Sequence, residues 1–202
     1  MKIRYDFVTN SSSSSFIVFL DKIPQNIEEL QKMIFGNDKI FKDPFSFSKG
    51  RKKNYPAYVV SKTVYEDMIK NGVLKVGRNK KIRKLLIKTV KGCDEFIDWD
   101  EFKKPIISCK KINTIPQECK NIHCCYYDRK VGIGCLDVYF DWEAYNIENE
   151  KRVIIWVNKV IDENIGKFVF VVSYSDNDGD YFCALEHGNL FEKLKHYQIS
   201  HH

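Results

Sequence analysis

The sequence predicts an α+β or α/β fold: a mixed β-sheet with helices packed on it. Three observations point there. Two uninterrupted apolar stretches, Phe16 to Leu20 and Phe168 to Val172, are rich in β-branched and aromatic residues and read as buried strands. Between them lie segments whose apolar residues recur three and four positions apart, the spacing of one helical face. An apolar share of 44% over 202 residues supports a sizeable core without disulfides or a structural metal, and excludes a disordered chain, a collagen-like repeat and a coiled coil. The organisation expected is one domain over 1–202, with a sub-division between a basic part, 1–91, and an acidic part, 92–202.

Taken in order, the strand at Phe16–Leu20 is entered from five serines, Ser11 to Ser15. A helix follows, with Asn26 as its cap, Glu29 at the third position, Ile27, Leu30 and Ile34 on one face, and Gly36 at its close. Phe41 to Tyr58, with Pro44, Gly50 and Pro56 among aromatics, reads as an irregular loop. Ser61 is expected to cap a helix through Val64, Met68 and Ile69 that stops at Gly72. Ile82, Leu85, Leu86 and Val90 then form a stripe at i, i+3, i+4 and i+8, a third helix. Short strands are expected near Ile106 and His123.

In the C-terminal part, Leu136, Val138 and Phe140 alternate with Asp137 and Tyr139 as a half-buried strand. Val153, Val157, Val160 and Ile161 mark a helix that ends near Gly166. Lys167 to Tyr174 is too continuously apolar for an edge and reads as a central strand. The run Ser175-Asp176-Asn177-Asp178-Gly179-Asp180 reads as a hairpin turn into a last strand, Tyr181 to Leu185. A strand-helix-strand-hairpin-strand unit results, whose first crossover is right-handed if those strands are parallel.

Charge is distributed unevenly. Residues 1–48 carry six basic and six acidic groups, 49–91 fourteen and two, and 92–202 thirteen and nineteen, for segment charges of 0, +12 and −6. Lys49, Arg51, Lys52 and Lys53 form one cluster. Lys75, Arg78, Lys80, Lys81, Arg83, Lys84, Lys88 and Lys91 form a second, on the polar face of the third helix. Only Glu66 and Asp67 interrupt the basic segment, whereas an ordinary surface intersperses both signs. Such a face suits phosphates, whose neutralisation releases counterions. Two alternatives stay open: a solvated face, or docking of the basic segment on the acidic C-terminal part.

The longest apolar runs are five residues, far short of the roughly 20 that span a bilayer. Met1 to Asp6 has no apolar region of the signal-peptide kind. A cytoplasmic protein with no membrane partner is expected, in which the seven cysteines serve as small buried hydrophobes and not as a disulfide framework.

The opening Lys2-Ile3-Arg4-Tyr5-Asp6-Phe7-Val8-Thr9-Asn10, followed by Ser11 to Ser15 and Phe16, resembles the start of a set of diverse bacterial proteins. Many of these are uncharacterised, and they share a near-identical DFVTNSSSSSF string. The match covers about fifteen of 202 residues. It implies a bacterial or mobile-element origin and no agreed activity, and it carries over no catalytic residue. The serines offer hydroxyls to nearby amides or to an anion; a flexible serine tract is the alternative.

A second motif gathers Asp176, Asp178, Asp180, Glu186, His187 and the terminal His201 and His202. Carboxylates and imidazoles of this kind can hold a divalent metal and activate a water. With Tyr181 to Leu185 extended, Glu186 stands on the order of 17 Å from the loop at about 3.3 Å per residue, too far to share an ion with it. The better candidates for a metal or catalytic pair are therefore Glu186 and His187, joined by His201 and His202 or by Asp137. Cys109, Cys119, His123, Cys124, Cys125 and Cys135 lie close together but contain no Cys-x-x-Cys pair, which strong zinc motifs supply. Gly132-Ile133-Gly134 lacks the third glycine of a dinucleotide fingerprint. Walker, Gly-x-Ser-x-Gly and His-Glu-x-x-His patterns are absent, and the restriction-nuclease pattern of an Asp followed by Glu-x-Lys or Asp-x-Lys on the next strand fails at Glu186, which is followed by His187 and Gly188.

Two classes of function follow. The first is a binding protein whose basic segment 49–91 meets nucleic acid or another acidic partner, with Lys80, Lys81, Arg83 and Lys84 in contact. The second is a metal-dependent, phosphodiesterase-like hydrolase built on the Glu186–His187 region. The first is preferred because it rests on a summed charge and not on a single loop.

Overall fold

The computed structural model describes residues 13–47, 50, 54–91, 103–105, 138–140 and 142–201. In chain order the elements are β1 (Ser13–Leu20), α1 (Ile27–Phe35), β2 (Ile40–Lys42), β3 (Asn54–Pro56), α2 (Ala57–Asn71), β4 (Leu74–Lys75) and α3 (Lys80–Val90). They continue with β5 (Lys103–Pro105), β6 (Val138–Phe140), α4 (Trp142–Glu163), β7 (Phe168–Ser175), α5 (Asp180–His187) and β8 (Lys195–His201). The class is α+β. No helix among the described residues is long and apolar enough to cross a membrane.

The chain forms two compact units, residues 1–93 with 157–202, and residues 94–156. In the second, β5 pairs antiparallel with β6, Lys103 opposite Phe140 and Pro105 opposite Val138. Residues 142–156 of α4 also belong to it, and there Glu148 holds Arg152 at 3.1 Å and Lys151 at 3.8 Å.

The first unit is built on a four-stranded sheet in the order β4-β7-β1-β8. All its pairings are antiparallel, so the right-handed crossover that a parallel pair requires does not arise. β7 lies inside the sheet, as its continuous apolar run requires. β1 lies beside it, with Phe16 opposite Val172 on one side and Gln198 on the other. It begins at Ser13, so the last three serines of the tract are strand.

Side chains alternate across the sheet. Phe16, Val18, Leu20, Phe170, Val172 and Tyr174 point to one face. There they join Leu30 and Ile34 of α1, Val60, Val64 and Met68 of α2, and Ala184 and Leu185 of α5 in one core. Phe191 closes it, its ring 5.4 Å from Phe16 and 6.2 Å from Phe170. On the other face Ile17, Phe19, Val169 and Ile199 are buried, together with Ile82, Leu86 and Val90 of α3 and Val157, Val160 and Ile161 of α4. The sheet is thus covered on both sides, which its apolar strands need.

Several expectations are corrected. Tyr181 to Leu185 is not a strand: Asp176–Asp178 form a 3₁₀ turn and Asp180–His187 form α5. The alternation there is short. Tyr181, Ala184 and Leu185 sit at i, i+3 and i+4, and helical burial of that face prevails. The last strand is instead β8, fourteen residues later. Phe41 to Tyr58 is not wholly irregular, since β2 and β3 pair across it, Phe41 opposite Tyr55. Ser61 is no cap: α2 starts at Ala57, directly after Pro56, and Ser61 lies buried inside it. Ile69 is 60% exposed and so off the buried face. Gly72 ends α2 as expected, with φ at 82°. The strand expected near His123 lies outside the described residues.

Candidate nucleic-acid interface

α3 owes its start to Asn79, whose side chain accepts the Ile82 amide at 3.0 Å. Ile82, Leu86 and Val90 turn inward and are buried, while Leu85 and Ile87 are half-buried. That leaves Lys80, Lys81, Arg83, Lys84 and Lys88 exposed along the outer face. Arg78, in the loop before the helix, extends the same face.

This arrangement is unfavourable for the helix by itself. The first turn contains no acidic residue, and Lys80 and Lys81 occupy it. The positive end of the helix dipole favours anions there, by about 0.3–1 kcal/mol each. Lys80, Lys84 and Lys88 are spaced at i, i+4 and i+8, where like charges repel by roughly 0.2–0.5 kcal/mol per pair. An anion laid along the face relieves both effects.

Neighbouring groups offset only part of the charge. Arg78 Nε donates to Asp162 Oδ1 of α4 at 2.9 Å, and Arg83 donates to the Asn158 carboxamide, which is neutral. Glu163 is engaged by Lys195 at 3.3 Å and by Lys159 at 4.0 Å. Lys80, Lys81, Lys84 and Lys88 make no ion pair among the described residues. Docking on the acidic C-terminal part therefore accounts for Arg78 but not, among the described residues, for these lysines. Arg78, Lys80, Arg83, Asn158 and Asp162 line a cavity of about 470 Å³ at the start of α3.

The other candidates separate. Glu186 is fully buried on α5; its Oε1 accepts the Ser14 hydroxyl at 3.4 Å and its Oε2 lies 3.7 Å from His187 Nε2. Gln198 of β8 donates to the Glu186 carbonyl at 2.9 Å and to Ser14 Oγ at 3.2 Å, tying α5 to the sheet. Glu186 and His187, neighbours in the chain, thus also approach through their side chains. His201 does not join them, because it projects from the opposite face of the sheet, where its Nε2 stands 3.1 Å from Ser15 Oγ. Asp176 and Asp178 lie in the 3₁₀ turn, and Asp180 begins α5. Among the described residues no group of three or more His, Cys, Asp or Glu is placed to hold a metal. His202, Asp137 and the Cys109–Cys135 cluster lie outside the described residues. Cys183, half-buried on α5, is a free thiol.

Sequence reasoning did not find Ser15, Ser173 or Gln198 as parts of polar clusters. Only strand pairing brings them to their partners. Compared with protein-family models, with curated proteins and with solved structures, the chain matches none.

Proposed function

We propose that this is a nucleic-acid-binding protein that engages the phosphate backbone through the exposed face of α3, with Lys80, Lys81, Arg83 and Lys84 as the contact residues. The observation that carries this reading is the unopposed positive charge on α3. Lysines stand where the helix dipole and like-charge repulsion both disfavour them, and no carboxylate among the described residues compensates them. A surface of that kind is supported by a polyanion that supplies the missing negative charge. Contacts to phosphates position a protein without reading bases, so the affinity expected is strong at low salt and weakly dependent on sequence.

Fluorescence polarisation with a labelled duplex over a salt series tests it. Each phosphate contact contributes about −0.9 to the slope of log K against log salt, so replacing all four residues by Ala flattens the slope by up to about 3.6. Equal slopes for the two proteins, or no binding by the wild type at low salt, defeat the proposal. Circular dichroism of the fourfold variant keeps the comparison fair, since Ala retains helix propensity.

A further inference from the structure

We propose a second site, beside the C-terminal half of α3 and argued from observations other than the four contact residues of the nucleic-acid reading: Ser15 is a nucleophile activated by His201 for acyl transfer from a small ester. The serine tract and the histidines near residue 201 are the two sequence features that the basic face leaves unused. The fold joins them.

In β1 the side chains of Ser14 and Ser15 leave the sheet on opposite faces. Ser14 is committed to Glu186 and Gln198. Ser15 stands opposite Ser173 of β7 on one side and opposite Ile199 of β8 on the other, with His201 two residues further along the same face. Its Oγ is 2.8 Å from Ser173 Oγ and 3.1 Å from His201 Nε2. A hydroxyl has one proton to donate. With Ser173 donating to Ser15, the Ser15 proton points at His201 Nε2, the arrangement of a nucleophile and its base.

The pair is also accessible. Ser15, Ser173 and His201 line a cavity of about 390 Å³, with Leu85 and Val171 as apolar wall and Lys88 as a cation. That volume is in the range of small-molecule sites. Ser15 is 7% exposed, enough to meet a ligand in the cavity yet shielded from bulk water. The apolar wall suits an acyl chain, and Lys88 suits an anionic group on the substrate. The class indicated is therefore a small ester that carries a carboxylate.

In the first step Ser15 Oγ bonds to the acyl carbon while its proton passes to His201 Nε2. The ester C–O bond then breaks, and the leaving alcohol takes that proton. Water, deprotonated by His201, attacks the acyl-serine; the acid is released and the proton returns to Ser15. No redox change occurs.

The test treats the full chain with an alkyl fluorophosphonate and locates the adduct by proteolysis and mass spectrometry. The Ser15 Oγ–P bond forms, the P–F bond breaks, fluoride leaves and the proton goes to His201. An adduct on Ser15 is expected, absent in S15A and in heat-denatured protein. In H201Q labelling slows by roughly 100-fold or more, the scale of a lost general base. His201 is half-buried at the end of an edge strand, so H201Q keeps the fold and decides the matter even where S15A does not fold. No Ser15 adduct in the wild type, or H201Q labelling at the wild-type rate, overturns the proposal.

Discussion

Arg78 and Asp162 meet at 2.9 Å, and through this contact the loop before α3 is tied to the end of α4. The side chains are 74% and 51% exposed, so the pair is well solvated and contributes at most about 1 kcal/mol to stability. Its effect is electrostatic: Asp162 supplies a negative charge at one end of a positive face. Asp162→Asn is expected to leave the melting temperature nearly unchanged, to tighten duplex binding, and to steepen the salt slope by up to about 0.9 as Arg78 becomes available to a phosphate. Polarisation titrations beside a thermal melt check both halves; weaker binding by the variant contradicts the placement of Arg78 on the interface.

Gly188 ends α5 under a tight constraint. A Cβ built there runs into the Phe41 ring and meets the Ala184 carbonyl oxygen at 2.6 Å. The second is helix backbone and cannot yield, and the first is a buried ring packed against Phe35. Gly188→Ala is expected to destabilise the protein by about 1–3 kcal/mol, the scale of overpacking. Urea denaturation gives the value, and an unchanged midpoint is inconsistent with this packing.

Partial burial raises the Asp67 carboxyl above its ordinary value of 3.8, with the Tyr174 hydroxyl and then Lys70 pulling it part of the way back and Glu66 adding to the rise. An acid raised in the folded state favours folding below its unfolded pKa and loses that contribution as pH rises through the folded one. At neutral pH the charged form is therefore a liability. The advantage of Asp67→Asn over wild type in melting temperature should be larger at pH 7 than at pH 3. A difference that is constant or reversed between those pH values refutes it.

Among the described residues the Glu186 carboxylate oxygen Oε2 accepts no hydrogen bond, its nearest basic group being His187 Nε2 at 3.7 Å, although the side chain is fully buried. Burying such a group is costly, and Gln keeps its shape and its acceptor toward Ser14. Glu186→Gln should melt no lower than wild type. Glu186→Ala instead leaves a void beside Ser14 and is expected to cost about 2–3 kcal/mol. Calorimetry of the two variants separates a packing role from an electrostatic one.

What the sequence made legible was local. Asn26 caps α1 as its spacing with Glu29 indicated, accepting the Glu29 amide at 2.9 Å, and the apolar stripe of α3 is buried as its period required. β7 was readable as an inner strand because the five consecutive apolar residues Phe168 to Val172 had no polar face to give to water. The charge of the proposed interface was visible for the same reason, being carried on a single helix. Misreadings arose where two signals competed. Asp176 to Asp180 is turn chemistry, and it hid the helical spacing of Tyr181, Ala184 and Leu185. Pro56 looked like loop punctuation although it stands directly before α2. The pairs Ser14–Glu186 and Ser15–His201 were beyond reach, because register across the sheet sets them and neither member has a local mark.

The place of β1 also bears on how the chain is made. Its two neighbours, Phe168–Ser175 and Lys195–His201, are synthesised long after Ser13–Leu20. At ~5–20 residues per second, β1 waits on the order of 10 s beyond the ribosome tunnel with both edges unpaired. The strand carries no charge and no proline, the profile of a segment that pairs with other chains when it is left open. Pairing of both edges of β1 thus has to wait until Lys195–His201 has been made. Raising the supply of holdase chaperones during expression is expected to increase the recovered folded fraction.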